Sequence, residues 1–413
     1  MRRNSAIRLV RGATRLTTLV AACAASLASL AQGGLDWPQW RGPDRDGISK
    51  ETGWVVEGKP EHLWSKNVGL GYSSVVVANG RLFTNGYDEA TQEDVIWCLD
   101  AVTGREIWSH RYPSEKWALY HGGGTNSTPT VDGDRLYVGE RKGHLFCFSA
   151  ADGKVIWKKN LVEEYGVQLP TWGLAGSPYV LGDMVYMNAG LVLAFDKMTG
   201  DLKWKSANLG HAYSTPIDFE QSGRPLLAVF NGNGLAILDR KDGSTVSMHE
   251  WKTRHDVNAA TPIVIGDRIF ISSGYGRGCA MLSLSDGGVS VAWENKNLKN
   301  QMSGSVLYKG HLYGFDEPSR FKCMDVEGNV KWDERGLGHG CVSMAGDKLL
   351  VMTGRGELII ADATPEGFKP LSMAKVLNGG ECWTTPVLSH GLIYVRNSLG
   401  HLVCRDHRSG ANP

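Results

Sequence analysis

The sequence predicts an all-β protein, an eight-bladed antiparallel β-propeller, and three observations lead to this prediction. Tryptophan closes a short β-type segment at intervals of roughly 40–50 residues, which is the repeat length of four-stranded propeller blades. Tight-turn residues recur in register within each repeat, as hairpins between short strands require. The first and last repeats are incomplete in complementary ways. A chain of 413 residues, 42% of them hydrophobic, can bury the core of such a ring.

The repeat unit is clearest in residues 127–157, which read STPTVDGDRLYVGERKGHLFCFSAADGKVIW. Four β-type runs alternate there with the turn sequences Asp132-Gly133 and Asp152-Gly153, where glycine supplies the positive φ of a tight hairpin. Four antiparallel strands of this length form a sheet too small to bury both faces by itself. The unit is therefore expected to pack against copies of itself.

Eight copies of this unit follow one another after residue 60. Each inner strand is expected to follow a Ser/Thr-Pro-like signature, because proline is tolerated where a strand begins. Each tryptophan that closes a repeat is expected to fill the space between neighbouring blades with its large flat side chain. The signatures lie at Ser73, Thr128, Ser177, Thr215, Thr261, Gly304, Cys341 and Thr385. The closing tryptophans are Trp64, Trp108, Trp157, Trp204, Trp251, Trp293 and Trp332.

The two ends of the repeat array complement each other. The last copy stops at 402–406 without a closing strand, whereas an orphan strand of the closing type, residues 62–66, precedes the first full copy. The N-terminal strand is therefore expected to complete the final blade. Such closure removes the free strand edges that an open array would expose. We predict one propeller domain over residues 61–406.

Residues 1–31 are predicted to be an export signal. Five arginines and no acidic residue occur in this segment, and an apolar region runs from Leu16 to Leu30. Ser29 and Ala31 occupy the −3 and −1 positions of a cleavage site, whereas the sequence VAAC ending at Cys23 resembles a lipoprotein box. We expect a periplasmic or extracellular protein, either cleaved after Ala31 or attached to a membrane through a lipid on Cys23.

The net charge of the chain without the predicted leader bears on the kind of partner that it could bind. The formal net charge of +1 becomes −4 without the five leader arginines, so no electrostatic argument favours nucleic acid or an anionic membrane surface.

Residues 32–60 contain DWPQWRGPDRDGIS and show no strand periodicity. We predict an ordered N-terminal arm over this range, lying over the main body, and a short tail over residues 407–413.

Seven cysteines follow Cys23, and their positions argue against a disulfide framework. Other copies carry Ala194 and Ile237 where four of the cysteines stand, which is typical of a small buried apolar residue. Equivalent strands of separate blades are too far apart for a bridge. The four cysteines at this repeat position are Cys98, Cys147, Cys323 and Cys404.

The repeats resemble a known family. The segments LDAVTGREIW (99–108), AADGKVIW (150–157) and FDKMTGDLKW (195–204) are similar to the tryptophan-docking repeat of quinoprotein-type, or PQQ-like, β-propellers. That group includes dehydrogenases dependent on pyrroloquinoline quinone (PQQ) and the outer-membrane protein assembly lipoprotein. The resemblance covers about residues 61–406, and the segment DWPQWRGPDRDG resembles an exported bacterial subgroup of the same repeat. The motif is specific for the fold and says little about activity.

The loops that lead into the inner strands are expected to gather around the central channel on one face, where propellers bind ligands. They mix aromatic platforms with carboxylate, amide and imidazole groups, a mixture that suits a sugar, a quinone or a peptide. The alternative is that these polar groups satisfy backbone atoms and that Trp172 and Trp383 pack against the arm. The candidate ligand-binding residues are Tyr72, His121, Thr125, Asn126, Trp172, His211, Tyr213, Asn258, Gln301, His339, Glu381 and Trp383.

The resemblance also implies what an enzyme of this group would need: a calcium ion, a stacking surface and a carboxylate base. Asp256 is the candidate catalytic base, Glu381, Asn258 and Asp256 are the candidate calcium ligands, and Trp172 or Trp383 would stack on the quinone. Two features depart from many dehydrogenases of this type. The sequence has no pair of adjacent cysteines, and the connections between blades are short. It also contains no CxxCH haem-attachment motif.

We therefore expect a non-catalytic binding or scaffold module that holds a protein or carbohydrate ligand at its channel face. We expect a monomer that needs neither metal nor cofactor and does not bind nucleic acid. The alternative is an alcohol or sugar dehydrogenase dependent on PQQ and calcium. A third alternative is a hydrolase or lyase whose catalytic residues come from different blades. Such a site would leave no local motif, and the sequence contains no GxSxG, HExxH, CxxC or Walker motif.

Overall fold

Eight sheets of antiparallel strands form the ring of blades, which confirms the predicted eight-bladed antiparallel β-propeller. Apart from Met1, the computed structural model describes residues 35–58, 60–285 and 288–409. The predicted leader, residues 1–31 with Cys23, lies outside these ranges. Over the described ranges, no helix combines the length and the apolar character needed to cross a membrane.

Two strands precede the blades in the chain, β1 (Ile48–Ser49) and β2 (Glu61–Asn67). Blade 1 consists of β3 (Val76–Ala78), β4 (Arg81–Asp88), β5 (Glu93–Asp100) and β6 (Glu106–Pro113). Blade 2 consists of β7 (Thr130–Asp132), β8 (Arg135–Gly139), β9 (His144–Ser149) and β10 (Val155–Asn160). The short helix α1 (Leu161–Tyr165) follows it. Blade 3 consists of β11 (Tyr179–Leu181), β12 (Met184–Asn188), β13 (Val192–Asp196) and β14 (Leu202–Lys205).

The remaining blades continue the pattern. Blade 4 consists of β15 (Ile217–Gln221), β16 (Arg224–Asn231), β17 (Gly234–Asp239) and β18 (Thr245–Glu250). Blade 5 consists of β19 (Ile263–Ile265), β20 (Arg268–Ser273), β21 (Gly278–Ser285) and β22 (Gly288–Asn295). Blade 6 consists of β23 (Val306–Tyr308), β24 (His311–Asp316), β25 (Arg320–Asp325) and β26 (Val330–Arg335). Blade 7 consists of β27 (Cys341–Ala345), β28 (Lys348–Met352), β29 (Glu357–Asp362) and β30 (Lys369–Lys375).

Blade 8 joins the two ends of the chain. It consists of β31 (Val387–Ser389), β32 (Leu392–Arg396), β33 (His401–Asp406) and, as its outermost strand, β2. The pairing of β2 with β33 is antiparallel and runs from Glu61 opposite Asp406 to Asn67 opposite His401. The predicted closure of the ring by an N-terminal strand is confirmed.

Tryptophan docking joins one blade to the next. The indole Nε1–H of Trp157 donates a hydrogen bond to the carbonyl of Lys197 in blade 3 at 3.2 Å. Gly200 lies against the same ring, where a Cβ atom would come within 2.8 Å of it. The same indole-to-carbonyl bond is made by Trp64, Trp108, Trp204, Trp293 and Trp332.

Trp251 does not dock in this way, so its predicted role as the closing tryptophan of blade 4 is wrong. The ladder between β17 and β18 shifts after Ile237, as the ladders of other blades do at the same position, and Ser247 stands opposite Ile237 where those blades have the docking tryptophan. Trp251 follows β18, is fully buried and donates instead to the hydroxyl of Ser273 at 3.1 Å. Trp251 thus lies four residues beyond the docking position, and the roughly regular interval between tryptophans does not reveal this displacement.

The seven described cysteines are buried and free. In the ladders, the four cysteines at the shared repeat position each face a docking tryptophan; the pairs are Cys98 with Trp108, Cys147 with Trp157, Cys323 with Trp332 and Cys404 with Trp64. Burial raises the pKa of the Cys98 thiol to about 12, so this thiol is protonated at neutral pH. These cysteines therefore act as small apolar residues beneath the indole rings.

Residues 36–49 of the N-terminal arm enter the channel rather than lying over the body as predicted, whereas residues 54–56 do lie over blades 7 and 8. Trp37 exchanges two backbone hydrogen bonds of 2.9 Å with Val77 of β3, and β1 pairs in parallel with β27. Inner strands leave backbone groups that need partners, and the arm supplies them. Contacts reach seven of the eight blades: Asp36 with Asn79 and His390, Pro38 with Val131, Arg45 with Val180, Trp40 with Thr261, Arg41 with Ser305, and Gly47 with Met344. The arm thus plugs the channel from the face opposite the predicted site.

Candidate functional site

The loops that lead into the inner strands surround a cavity of about 720 Å³, which we call the basin. Its volume lies within the roughly 300–1,000 Å³ expected of small-ligand sites. Trp40 of the arm also lines it, so the plug of the channel contributes to the basin wall. The aromatic residues of the basin are Trp40, Tyr72, Tyr120, Trp172, Tyr213, Tyr275 and Trp383.

The structure brings most of the sequence-predicted residues together in this basin. They come from loops that precede different blades and lie up to 311 residues apart in the chain, as Tyr72 and Trp383 do. The predicted residues that line the basin are Tyr72, His121, Asn126, Trp172, His211, Tyr213, Asp256, Gln301 and Trp383.

Four predicted residues lie elsewhere. Asn258 is fully buried, and its amide donates to the carbonyls of Asn231 and Trp251 at 2.7 and 3.1 Å, so it is engaged in holding the loop. The Thr125 hydroxyl donates to a backbone carbonyl in blade 1. His339 lines a small neighbouring cavity, and Glu381 lies behind Tyr72.

The first aromatic cluster consists of Tyr72, His121 and Trp383. The rings of Tyr72 and Trp383 stack with centroids 5.2 Å apart and 21° between their planes, and His121 meets Tyr72 edge-on at 5.2 Å. The Tyr72 hydroxyl donates to the Glu381 carboxylate at 3.3 Å, and the Ser398 hydroxyl donates to the same carboxylate. Burial, with Glu381, raises the pKa of Tyr72, and burial lowers the pKa of His121. Both side chains are therefore neutral at pH 7.

The second aromatic cluster consists of Tyr120, Trp172, Tyr213, His255 and Tyr275. Trp172 is central: its ring lies 5.9 Å from Tyr213, 6.5 Å from Tyr120 and, at right angles, 6.4 Å from His255. Its own indole N–H donates to the carbonyl of Leu119 at 3.0 Å, which holds the ring in place. The first cluster comes from the loops before blades 8, 1 and 2, and the second comes from the loops before blades 2 to 5 together with the turn between β20 and β21.

Polar groups are placed between the rings. The amide of Asn126 donates to the carbonyl of Trp172 at 2.8 Å, which leaves its oxygen available. The Tyr213 hydroxyl is buried without a hydrogen bond of good geometry in the described chain, and burial raises the pKa of Tyr213 to about 12. Asp256 is exposed and contributes the single carboxylate among the lining residues.

Two buried arginines hold the loops of the basin. Arg396 is fully buried and donates to the carbonyls of Gly69, Ser73 and Asn85, which fixes the segment that carries Tyr72. Because carbonyls rather than a carboxylate surround it, burial lowers the pKa of Arg396 to about 9.

Arg141 acts on the next loop. Its guanidinium donates to both oxygens of Asp94 at 2.6 and 2.5 Å, and to the Ser114 hydroxyl and the Glu115 carbonyl at 2.9 and 2.8 Å. These bonds hold the start of the loop that carries Tyr120 and His121.

Sequence reasoning missed several lining residues. Tyr120 and His255 are each adjacent to a predicted residue, so the loop was found but not the side chain. Trp40 was assigned to the arm, and its place in the basin depends on how the arm enters the channel. Tyr275 lies between β20 and β21, in a loop of a type that was not considered.

The residues of the basin do not fit PQQ and its calcium ion. This quinone carries three carboxylates, and none of the lining residues is lysine or arginine. Carboxylates without cationic partners are expensive to bury. Within the described ranges, no three His, Cys, Asp or Glu residues are grouped so that they could hold a metal ion. Of the three proposed calcium ligands, Asn258 is already engaged by backbone carbonyls.

Comparisons with known proteins agree with the fold. The family model described as outer membrane protein assembly factor BamB matches residues 92–334, more than half of the chain. No curated protein matches the sequence significantly. Among solved structures, BamB from Moraxella catarrhalis is similar with a TM-score of 0.61 and 15% identity, covering 86% of this chain and 99% of that one.

Two further structures show how widely this fold is shared. The quinohemoprotein alcohol dehydrogenase from Comamonas testosteroni has a TM-score of 0.52 and 14% identity, covering 95% of this chain and 85% of that one. The computationally designed Ika8 protein has a TM-score of 0.59 and 10% identity, covering 82% of this chain and 98% of that one. At such identities the likeness concerns the fold alone.

Proposed function

The chain belongs to the family of the outer membrane protein assembly factor BamB, and from this premise we propose that it is a non-catalytic binding module. Its ligand, a protein or a carbohydrate, enters the basin. The observation that carries the proposal is the wall of seven aromatic side chains around a cavity of about 720 Å³. Exposed aromatic surface in a cavity stabilises a bound partner that covers it.

The proposal includes where the module works. Residues 1–31 would direct export to the periplasm or the extracellular space, with cleavage after Ala31 or a lipid on Cys23 as the alternative fates. The exported chain would then be a monomer that consists of the arm (32–60), the propeller (61–406) and the tail (407–413). The net charge of −4 without the leader arginines gives no support to a nucleic-acid partner.

The alternative, an alcohol or sugar dehydrogenase that uses PQQ and calcium, is testable directly. The mature protein is assayed for thermal stability and for dye-linked alcohol oxidation with the quinone plus calcium, beside calcium alone. We expect no cofactor-dependent shift and no oxidation. A cofactor at 100 times its Kd would add about 2.7 kcal/mol of stability. Such a shift with alcohol oxidation would overturn the non-catalytic proposal.

Binding through the basin is tested with a glycan array and a peptide library, each probed with the wild type and with the double variant Trp172→Ala/Trp383→Ala. We expect at least one ligand that the wild type retains and the double variant loses. If no ligand of either class depends on these two side chains, the proposed function is wrong.

A further inference from the structure

The basin combines extensive aromatic surface with little formal charge. No lysine or arginine lines it, and Asp256 is its one carboxylate. Of its three imidazoles, His121 has its pKa lowered by burial. Because strongly charged ligands need opposite charges in a partly buried site, this lining is complementary to a neutral ligand.

The aromatic surface is divided between two places. The first aromatic cluster presents the stacked pair of Tyr72 and Trp383, and the second presents Trp172 with its neighbours. Each offers flat apolar surface, with hydrogen-bonding groups such as Asn126 and Gln301 in the same cavity. A ligand that matches both must have flat apolar faces that repeat along its length and polar groups at its edges.

Backbone conformation singles out the same cavity. Ten described residues other than glycine have φ in the left-handed region, and three of them, Tyr120 (66°), Asp256 (54°) and Tyr275 (57°), line the basin. Bulky residues avoid this region, and strained residues tend to cluster at ligand sites. Tyr120 is also 91% exposed, which removes packing as the reason for its position. Tyr275 lies in the hairpin turn between β20 and β21, and the other seven also lie in hairpin turns or in the arm: Arg41, Arg45, Asn79, Gln92, Ser222, Lys309 and His390. Tyr120 and Asp256 are therefore the two left-handed positions that neither a hairpin turn nor the arm explains.

We propose that the basin binds a neutral oligosaccharide, whose sugar rings lie against the two aromatic clusters and whose hydroxyls bond to the polar groups between them. A pyranose ring with equatorial hydroxyls has apolar C–H faces and a polar rim, which is the combination that the lining requires. The exposed Asp256 carboxylate and the Asn126 amide oxygen, both in the lining of the basin, are available to sugar hydroxyls. This inference rests on the proposed function and names the ligand class.

The test is isothermal titration of the mature protein with cello-, xylo- and chito-oligosaccharides of two to six units. Oligogalacturonate serves as the charged counterpart. We expect at least one neutral series to bind, with an affinity that rises with length until both clusters are occupied. Binding of the charged series in preference to every neutral one would overturn the inference.

Single substitutions test whether the oligosaccharide binds in the basin. Trp172→Ala, Trp383→Ala and Tyr120→Ala should each weaken binding by about threefold to tenfold, the effect of one aromatic contact. Trp54→Ala is the matched control, because Trp54 packs on His407 outside the basin, and it should leave the affinity unchanged. Tyr120→Ala removes an exposed side chain, so it remains informative even if a tryptophan variant fails to fold. Equal affinity in the wild type and in Tyr120→Ala, Trp172→Ala and Trp383→Ala would place the sugar elsewhere and refute the inference.

The outcomes separate this inference from the proposed function. If a library peptide binds and depends on Trp172 and Trp383 while no neutral sugar binds, the carbohydrate inference fails and the binding module stands. If neither class depends on these residues, both fail.

Discussion

At the scale of single residues, Trp157 illustrates how one position joins two blades. Its indole is 8% exposed, donates to the carbonyl of Lys197 and rests on Gly200, whose missing side chain makes room for the ring. The same side chain therefore contributes apolar burial, a hydrogen bond and a steric requirement. Neighbouring positions of the same strand, such as Ile156, are exposed and carry none of these.

Trp157→Ala should lower the free energy of unfolding by about 3–5 kcal/mol, since it removes a large buried aromatic from between blades. Urea denaturation followed by circular dichroism measures the loss. Ile156→Ala is the control in the same strand, and its effect should stay within about 0.5 kcal/mol. A loss below about 1 kcal/mol for Trp157→Ala would show that the docking role is misassigned.

His390 gives the arm a pH-dependent attachment. Its Nε2 lies 2.8 Å from the carboxylate of Asp36, and this hydrogen bond raises the pKa of His390 above its ordinary 6.5. A raised folded pKa means that the stabilisation is fully present below pH 6.5 and is lost as the pH rises through the folded pKa. Glu51, also near His390, acts in the same direction on this imidazole.

The stability difference between the wild type and His390→Gln should therefore be larger at pH 6 than at pH 9. The side chain of His390 is 28% exposed, so solvent screens the pair and we expect a contribution of about 0.2–1 kcal/mol. Thermal unfolding of both proteins across this range measures it, and the comparison cancels the titration of the buried His407. A difference that does not change with pH would contradict the ion pair.

At the scale of elements, a buried ion pair joins the loop between β8 and β9 of blade 2 to strand β5 of blade 1. The side chains of Arg141 and Asp94 are 0% and 1% exposed, and the guanidinium also holds Ser114 and the Glu115 carbonyl. Removing two charged side chains from water costs free energy, and the ion pair between them offsets much of this cost. What the pair secures is the conformation of the loop that carries Tyr120 and His121.

Asp94→Ala should destabilise the protein by about 3–5 kcal/mol, because it leaves the Arg141 charge buried and unpaired. The double variant Asp94→Leu/Arg141→Met should lose less than Asp94→Ala alone, since no uncompensated charge remains. Urea denaturation of Asp94→Leu, Arg141→Met and their double variant forms the cycle that measures this coupling. Purely additive losses would indicate that the two side chains act independently.

At the scale of the whole molecule, stability depends on closing the ring. β2 is the outermost strand of blade 8, and its Trp64 docks on the carbonyl of Ala101 in blade 1. Without β2, blade 8 would expose the edge of β33 and blade 1 would lose its docking partner. The arm adds a second closure by filling the channel.

A chain that starts at residue 68 should be less stable than one that starts at residue 60 by at least about 3–5 kcal/mol, the loss expected for Trp64 alone. Both chains lack the arm, so the comparison isolates β2. Urea unfolding followed by circular dichroism and by tryptophan fluorescence measures the difference. Equal stability of the two chains would argue against closure by the N-terminal strand.

The candidate site was predictable at the level of loops. The repeat register places every loop that precedes an inner strand on one face of the ring. The loops that carry Trp172, His211 and Trp383 were therefore predicted correctly to surround the channel. Within a loop, the register does not say which side chain turns inward. Asn258 and Glu381 were therefore chosen as candidates although they turn away, whereas Tyr120 and His255 were missed.

By itself, the sequence determined the number of blades, their strand order and the closure of the ring. These properties depend on local signals, namely turn residues, strand starts and tryptophans at a fixed interval, which repetition makes unambiguous. Tertiary structure alone decided that the arm fills the channel, that Ser247 rather than Trp251 holds the docking position, and which aromatics meet in the basin. Each of these depends on groups from different blades converging across the ring, and no local pattern records how such groups meet.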